Sequence, residues 1–468
     1  MTKLTAAIRR YHDLLTPAMA AETSGQLVDQ HTRRNLYFGD RPLSSVLRPR
    51  MITLEQYNFL RSSIRAIMPA FSKAHNAAMA DPQARAFLMP ADWEEELFKI
   101  DPGYEWPVPL SRMDTFYLAD EGVLSMTEYN AEVPAAPAYN EVLTEMFLGL
   151  PVMREFEKEY EVYPIPARHK TMHTLHNCYA QWAKNGGKSG SKPADPSKKP
   201  VIGILDWKEV PTYSEFVLFR DYFRSQGYTA IICDPRELSY KRGKLMARDL
   251  DTGDEVHINL IYKRVLIHEL VERMGVNNLV VRALRDKAVC MVNPFQCKLM
   301  HKKASLAMLS DEQFAHLYSR SELKAIKQFI PWTRVVADRK TKFNGKTVDL
   351  PKFISQNKDQ LVMKPNDDYG GKGVVLGWTV GQEEWDATLQ NYLREPAIVQ
   401  HRVPIPSEPY PSMVDGEMKI FDRMFDTAPY LWGMDYMSSC LSRLSTVALL
   451  NVTAGGGSTV PVVVIEKR

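Results

Sequence analysis

The most constraining stretch of the chain is Val201-Ile-Gly-Ile-Leu-Asp-Trp207, an apolar run entered from Pro200 and followed by a helical pattern. Near-continuous apolarity over so few residues describes a strand covered on both faces, as inside a parallel sheet. A helix is predicted from Ser214 to Gln226, closed by Gly227, and Thr229-Ala-Ile-Ile-Cys-Asp-Pro235 gives a second strand of the same kind. Two such strands joined by a helix make a βαβ-like unit, which commits this part of the chain to α/β architecture. Lys244–Arg248 and Val256–Tyr262 read as further strands across the Asp251-Thr-Gly-Asp254 turn, and Val289–Asn293 as another short one.

At 468 residues the chain exceeds what one hydrophobic core usually serves. Five divisions are predicted. Residues 1–104 form a mainly helical region, 105–183 a metal-binding part, 184–200 a flexible linker, 201–300 the α/β domain and 301–468 a nucleotide-binding part. In the first, Thr53-Leu-Glu-Gln56 has the form of a capping box, and Leu54, Tyr57, Leu60, Ile64 and Ile67 recur at helical spacing. Residues 139–163 return to a helical pattern. Lys184–Pro200 is rich in Lys, Gly, Ser and Pro with no apolar period, so a surface loop is expected. Its Gly186-Gly187-Lys188-Ser189 looks like the end of a P-loop, but Trp182 stands where that motif needs its first glycine. The last part mixes strands and helices, with glycine loops at 370–373 and 455–457.

A formal charge of +3 is small for this length and does not suggest a nucleic-acid binder, which usually shows a strong basic patch or tail. No apolar run approaches the ~20 residues that cross a bilayer. The N-terminus is amphipathic, without a signal-peptide hydrophobic region, so a cytoplasmic location is expected. Cys178, Cys233, Cys290, Cys297 and Cys440 are scattered and form no CxxC pair, which favours neither disulfides nor zinc. His169, His173 and His176 share a helical face at a spacing that can bind zinc, but Arg168 and Lys170 beside them favour a solvated basic face. Trp207, Trp332 and Trp432 are expected in the core.

From Arg112 the apolar period changes to that of strands. Met113–Leu118 and Val123–Asn130 are predicted to form a hairpin across Asp120-Glu121-Gly122, with Gly122 supplying a positive φ. If the hairpin turns about Glu121, Asp114 faces Glu128 and Arg112 faces Asn130, all four on one side of the ribbon. A bulge at Gly122 would shift this pairing by one. Such a face is ordinarily solvated. Here the other face (Met113, Thr115, Tyr117, Val123, Ser125, Thr127, Tyr129) is not apolar enough to be the only buried one. Two carboxylates and an amide oxygen together also supply the hard oxygen ligands that Mg²⁺ prefers.

Gln360–Lys364 is a short strand ending in a lysine. Pro365-Asn-Asp-Asp-Tyr-Gly-Gly-Lys-Gly373 follows, and Val374–Trp378 resumes as strand. A plain hairpin loop accounts for the composition. A glycine-rich loop between antiparallel strands can also fold over phosphates and present backbone N–H groups, with Lys364 and Lys372 adding charge. Ala397–Val403 is a strand with a polar centre at Gln400 and His401, able to hydrogen-bond an adenine edge.

Taken together, Arg112-Met-Asp114, Glu128-Tyr-Asn130-Ala-Glu132, Lys302-Lys303-Ala-Ser-Leu-Ala-Met-Leu309 and the glycine loop resemble the ATP-grasp superfamily over residues 105–468. The metal-binding element precedes the glycine loop, an order similar to circularly permuted members such as the synthetase domain of glutathionylspermidine synthase and its uncharacterised relatives. The resemblance implies an α/β (α+β) ATP-grasp fold in permuted order, with a pre-ATP-grasp domain at 201–300. It implies Mg²⁺ on Asp114, Glu128 and Asn130, and Arg112 as the catalytic residue. ATP would lie on Lys303, Lys364, Gly370, Gly371, Lys372, Gly373 and Gln400. The implied activity joins a small-molecule carboxylate to an amine through an acyl-phosphate. A small-molecule kinase and a non-catalytic nucleotide-binding or scaffold protein are the alternatives. The chain departs from the bifunctional enzyme in lacking an amidase portion. It also departs in its C-terminal segment, where Arg443 and Gly455–Gly457 stand.

Overall fold

The computed structural model describes residues 2–368, 370–447 and 457–468. The βαβ-like unit is present as Ile202–Leu205, the helix Tyr213–Ser225 and Ala230–Cys233. Its strands belong to a four-stranded parallel sheet in the order Ala230–Cys233, Ile202–Leu205, Leu260–Lys263, Cys290–Val292. Every residue of these four strands is buried, as their apolar runs require. Gly203 fits closely in its strand, where a Cβ would lie 2.9 Å from Ile258 Cδ1. The predicted strand Val256–Tyr262 is instead two. Asn259 breaks it, its side chain accepting from the Val201 amide at 2.7 Å. Glu255–Ile258 pairs with Lys244–Arg248 in a small antiparallel sheet, and Leu260–Lys263 enters the parallel one.

The largest sheet has nine strands drawn from distant parts of the chain. Its main path runs Ser407–Val414, Glu417–Phe425, Tyr436–Ser445, Ala428–Trp432, Leu110–Leu118, Val123–Asn130. Ser458–Lys467 pairs with Tyr436–Ser445 and carries Arg50–Thr53 in parallel and Tyr160–Tyr163 antiparallel. The first hundred residues are thus mainly helical but contribute a strand to this sheet. The helix Leu54–Ala80 follows that strand directly, closed by the predicted Thr53–Gln56 capping box. It buries Leu60, Ile64, Ile67 and Phe71 in the main hydrophobic cluster, to which the hairpin also contributes, and Phe71 meets the Tyr129 ring with centroids 4.6 Å apart. The segment 139–163 is two helices, Pro137–Leu148 and Pro151–Phe156, and then the strand Tyr160–Tyr163.

A third sheet, antiparallel, has the order Thr333–Val335, Ala397–His401, Leu361–Pro365, Val375–Leu376. The glycine loop joins its last two strands. The strand after the loop is shorter than Val374–Trp378, since Gly377–Thr379 forms a 3₁₀ turn pressed against the Lys358 carbonyl. Within 184–200, Lys188–Ser189 and Lys192–Pro193 make a small hairpin, and Gly187 packs on the Trp182 ring.

All five cysteines are buried and unpaired. Trp207 and Trp432 are core residues, whereas Trp332 is half-buried against Phe343 and Phe353. His169 and His173 are exposed, their Nε2 atoms 3.0 Å apart. Among the described residues no helix is long and apolar enough to cross a membrane. The C-terminal glycines Gly455 and Gly456 lie outside the described residues.

Candidate active site

Leu110–Leu118 and Val123–Asn130 pair antiparallel with Arg112 opposite Asn130 and Asp114 opposite Glu128. This is the predicted facing, but it arises by a different route. The loop holds four residues, Ala119–Gly122, so Leu118 faces Val123 and the lower register is one residue out from a turn centred on Glu121. A bulge between Asp114 and Thr115 then takes up Thr127 and restores the offset. It also swaps the faces of the second strand. Met113–Tyr129, Thr115–Met126 and Tyr117–Leu124 are the pairs toward the core, with all but Thr115 in the main hydrophobic cluster. Ser125, expected on that face, is opposite Phe116 instead.

Asp114 is 4% exposed and carries two arginines. Arg112 grips it as a fork, Nε to Oδ1 at 2.7 Å and Nη2 to Oδ2 at 3.1 Å, and gives its Nη1 to the Ala135 carbonyl. Arg443 reaches the same Oδ2 at 2.6 Å. Burial alone would raise this carboxyl, but Arg112 and then Arg443 hold it well below the usual carboxylate range. Glu128 is paired with Lys303 at 3.0 Å. Burial and Asp114 push its carboxyl up, and Lys303 with Lys364 brings it below its ordinary value. Asn130 has its amide nitrogen buried without a hydrogen-bond partner.

Lys364 lies at the end of Leu361–Pro365 and crosses to the hairpin. Its Nζ donates to Gln400 Oε1 at 2.8 Å and to the Thr127 carbonyl at 3.2 Å. Burial, reinforced by neighbouring Lys303, pushes its ammonium down to about 8 despite Glu128. Gln400 is held in turn by its Nε2 donating to Thr333 Oγ1 at 3.0 Å. Lys303 donates to the Asp368 carbonyl at 2.7 Å, which joins the hairpin to the glycine loop. The stem of that loop is pinned. Asn366 accepts from the Lys303 and Ala304 amides, and Asp367 sits between Lys298 at 2.7 Å and Lys302 at 3.0 Å. Beyond the stem, Gly370, Gly371 and Gly373 have φ of 67°, 75° and 66°, a conformation side chains with Cβ rarely take.

These segments surround one cleft with about 1020 Å³ of empty space, its mouth included. Asp114, Glu128, Lys303, Lys364, Gln400, Gly370, Gly371 and Lys372 line it. Arg112, Asn130 and Gly373 do not. Arg112 stands behind Asp114, and Gly373 packs against Pro365 and Tyr392. Sequence reasoning missed Asp426, Trp378 and Arg402, which also line the cleft, the last two stacked with 4.0 Å from the guanidinium carbon to the ring centre. Arg443 announces itself only as the one charged residue of a largely buried strand, and Asp426 stands just past the end of a largely exposed strand that carries other charges, so nothing singles it out.

No family model matches the sequence, and no curated protein matches it. A glutathione synthetase-like effector from Globodera pallida matches in structure over 96% of this chain and 98% of its own, with a TM-score of 0.57 at 11% identity. The likeness covers the chain almost end to end and shows that the two share a fold. D-alanyl-alanine synthetase A from Vibrio cholerae overlaps 48% of the chain at a TM-score of 0.25, and a D-cycloserine synthetase 56% at 0.28. These two partial overlaps are too slight to bear on function.

Proposed function

We propose that the chain is a Mg²⁺- and ATP-dependent ligase of circularly permuted ATP-grasp type, joining a small-molecule carboxylate to an amine. The observation that carries this reading is the convergence on one cleft of two acids from the hairpin, Asp114 and Glu128, with Lys303, Lys364 and the glycine loop. The donor set fits a hard divalent cation. Asp114 is held ionised, and it and Glu128 both face the cleft, which offers two carboxylates to such an ion. Bound there, Mg²⁺ would supply charge neutralisation to the β- and γ-phosphates.

The chain's own residues do the rest. Lys303 and Lys364 hold the phosphates, Lys364 from a position fixed by Gln400 and the Thr127 carbonyl. Arg112 keeps Asp114 oriented and ionised, so its part in catalysis is exerted through that carboxylate unless it lets go. The glycine loop, pinned at its stem, closes over the phosphates and excludes water. A substrate carboxylate oxygen attacks the γ-phosphorus and the bond to the bridging oxygen breaks, releasing ADP. The amine then attacks the carbonyl carbon of the acyl-phosphate, losing a proton as phosphate leaves. Sheltering matters because that intermediate hydrolyses in water.

The test is product balance. A ligase releases ADP and inorganic phosphate in equal amounts only when both acid and amine are supplied. ADP without free phosphate identifies a kinase. Absence of Mg-ATP binding contradicts both and leaves the scaffold.

A further inference from the structure

We propose that Arg443 is a built-in counter-cation, seated beside Asp114 in the ligand-free protein and yielding that carboxylate when a divalent ion and nucleotide arrive together. This rests on the Mg-ATP reading above. Arg443 comes from Tyr436–Ser445, and its Nη2 is 2.6 Å from Asp114 Oδ2 and 2.5 Å from Asp426 Oδ2. One cationic nitrogen therefore sits between two buried carboxylates that both line the cleft. A divalent ion on Asp114 and this guanidinium would repel each other at close range, so the two compete for one carboxylate.

The contacts of Arg443 are unequal. Asp426 receives its main-chain N–H on Oδ1 at 2.6 Å, Nε on Oδ2 at 2.6 Å, and Nη2. Asp114 receives Nη2 alone. Leaving Asp114 breaks one contact and keeps the tether. Asp426 cannot follow, because its neighbour Thr427 is fixed to Thr115, whose amide and hydroxyl both donate to the Thr427 carbonyl at 3.2 and 2.6 Å. The freed nitrogen stays in the wall of the cleft, where a phosphate or carboxylate of the ligand can take it. A metal ion alone offers Arg443 no such partner, whereas metal with nucleotide does. Arg443 thus makes the divalent ion bind weakly by itself and tightly with nucleotide, and Asp426 is the positioning residue that makes the exchange reversible.

The test measures Mn²⁺ binding by electron paramagnetic resonance, with and without the β,γ-imido analogue of ATP, in Arg443→Met, Arg443→Gln and Arg443→Lys. The neutral variants should bind Mn²⁺ alone on the order of tenfold more tightly than the parent, because the competing charge is gone. They should also lose most of the gain that nucleotide gives. Arg443→Lys, which keeps the charge, should stay near the parent. A purely structural role predicts the opposite sign, weaker Mn²⁺ binding in all three. If Arg443→Met fails to fold, Arg443→Gln against Arg443→Lys decides. A folded neutral variant that binds Mn²⁺ no more tightly than Arg443→Lys overturns the proposal. The parent's failure to bind the Mn²⁺–nucleotide pair at all would instead overturn the functional reading beneath it.

Discussion

Lys364 donates a hydrogen bond to the main-chain carbonyl of Thr127, the residue that the register of the acidic hairpin skips. The bulge does two things at once. It sets Glu128 opposite Asp114, and it presents a carbonyl to the lysine of the facing sheet. Only the backbone of Thr127 is needed for either. Thr127→Ala should therefore lose the Oγ1 bond to the Asp114 carbonyl, about 1 kcal/mol of stability, and keep Mg-ATP binding. Deleting Thr127 removes the bulge but keeps Glu128 opposite Asp114, since Thr115–Met126 and Asp114–Glu128 then become consecutive pairs; what is lost is the carbonyl that holds Lys364. Calorimetry should show Mg-ATP binding weakened in the deletion, through the loosened Lys364, and unchanged in Thr127→Ala.

Asp114 and Glu128 should separate in stability although both are expected to be essential. Removing Asp114 leaves Arg112 without its partner in a buried site, at a cost of about 3–5 kcal/mol. Glu128 has 27% of its side chain exposed, and its loss frees only Lys303. Denaturant unfolding should show Asp114→Ala strongly destabilised and Glu128→Ala much less so, with Asp114→Asn between them. Equal stability in the two alanine variants would mean that the arginine pair contributes little.

The sequence made the acidic hairpin, the βαβ-like unit and the glycine loop legible because each is local. Alternation, a capping box and turn glycines act within a dozen residues, and the structure has them where those signals stand. The hairpin facing was reached through two deviations that cancel, a longer loop and an unseen bulge. Bulges depend on what the strand must pack against, here Met126 and Tyr129 in one core, and local composition does not report that. The strand Arg50–Thr53 was hidden for a related reason. It is four residues long, sits between helices and gains its partner from Ser458–Lys467 at the far end of the chain. Asp426 and Arg443 were illegible as a pair because strand pairing alone brings them beside Asp114.

The lowered ammonium of Lys364 gives a signature in proton uptake. In the free protein this group loses its charge as pH rises through about 8, below the ordinary lysine value of about 10.4. Phosphates favour the charged form, so binding an ATP analogue should take up close to one proton near pH 9 and almost none from this group at pH 6.5. Calorimetry in buffers of different ionisation enthalpy reads this directly, and Lys364→Met should abolish it. The same shift acts on stability with a definite sign. Between pH 8 and the ordinary lysine value the unfolded chain binds more protons, so this group's contribution to stability rises with pH.

Asp367 should govern both the glycine loop and acid stability. Burial would raise its carboxyl, but Lys298 and then Lys302 hold it far below the usual range, and the Glu132 carboxyl is brought down to about 2 chiefly by Lys298 and Lys263. Carboxyls depressed in the folded state contribute stability that is complete above their unfolded value of about 4 and is lost as pH falls further. Unfolding free energy should thus decline as pH drops from about 5 toward 2. Asp367→Asn should flatten that slope and loosen the loop stem, seen as faster amide exchange at Asn366–Gly371.

The central claim is that the hairpin and the glycine loop hold one Mg-ATP between them. Equilibrium binding of the β,γ-imido ATP analogue, with and without Mg²⁺, in the parent, Glu128→Gln and Lys364→Met tests it most directly. The account predicts one saturable, Mg²⁺-dependent site in the parent, weakened on the order of tenfold or more by either substitution, with the Mg²⁺ dependence lost in Glu128→Gln. Parent-like, Mg²⁺-dependent binding in both folded variants would contradict it.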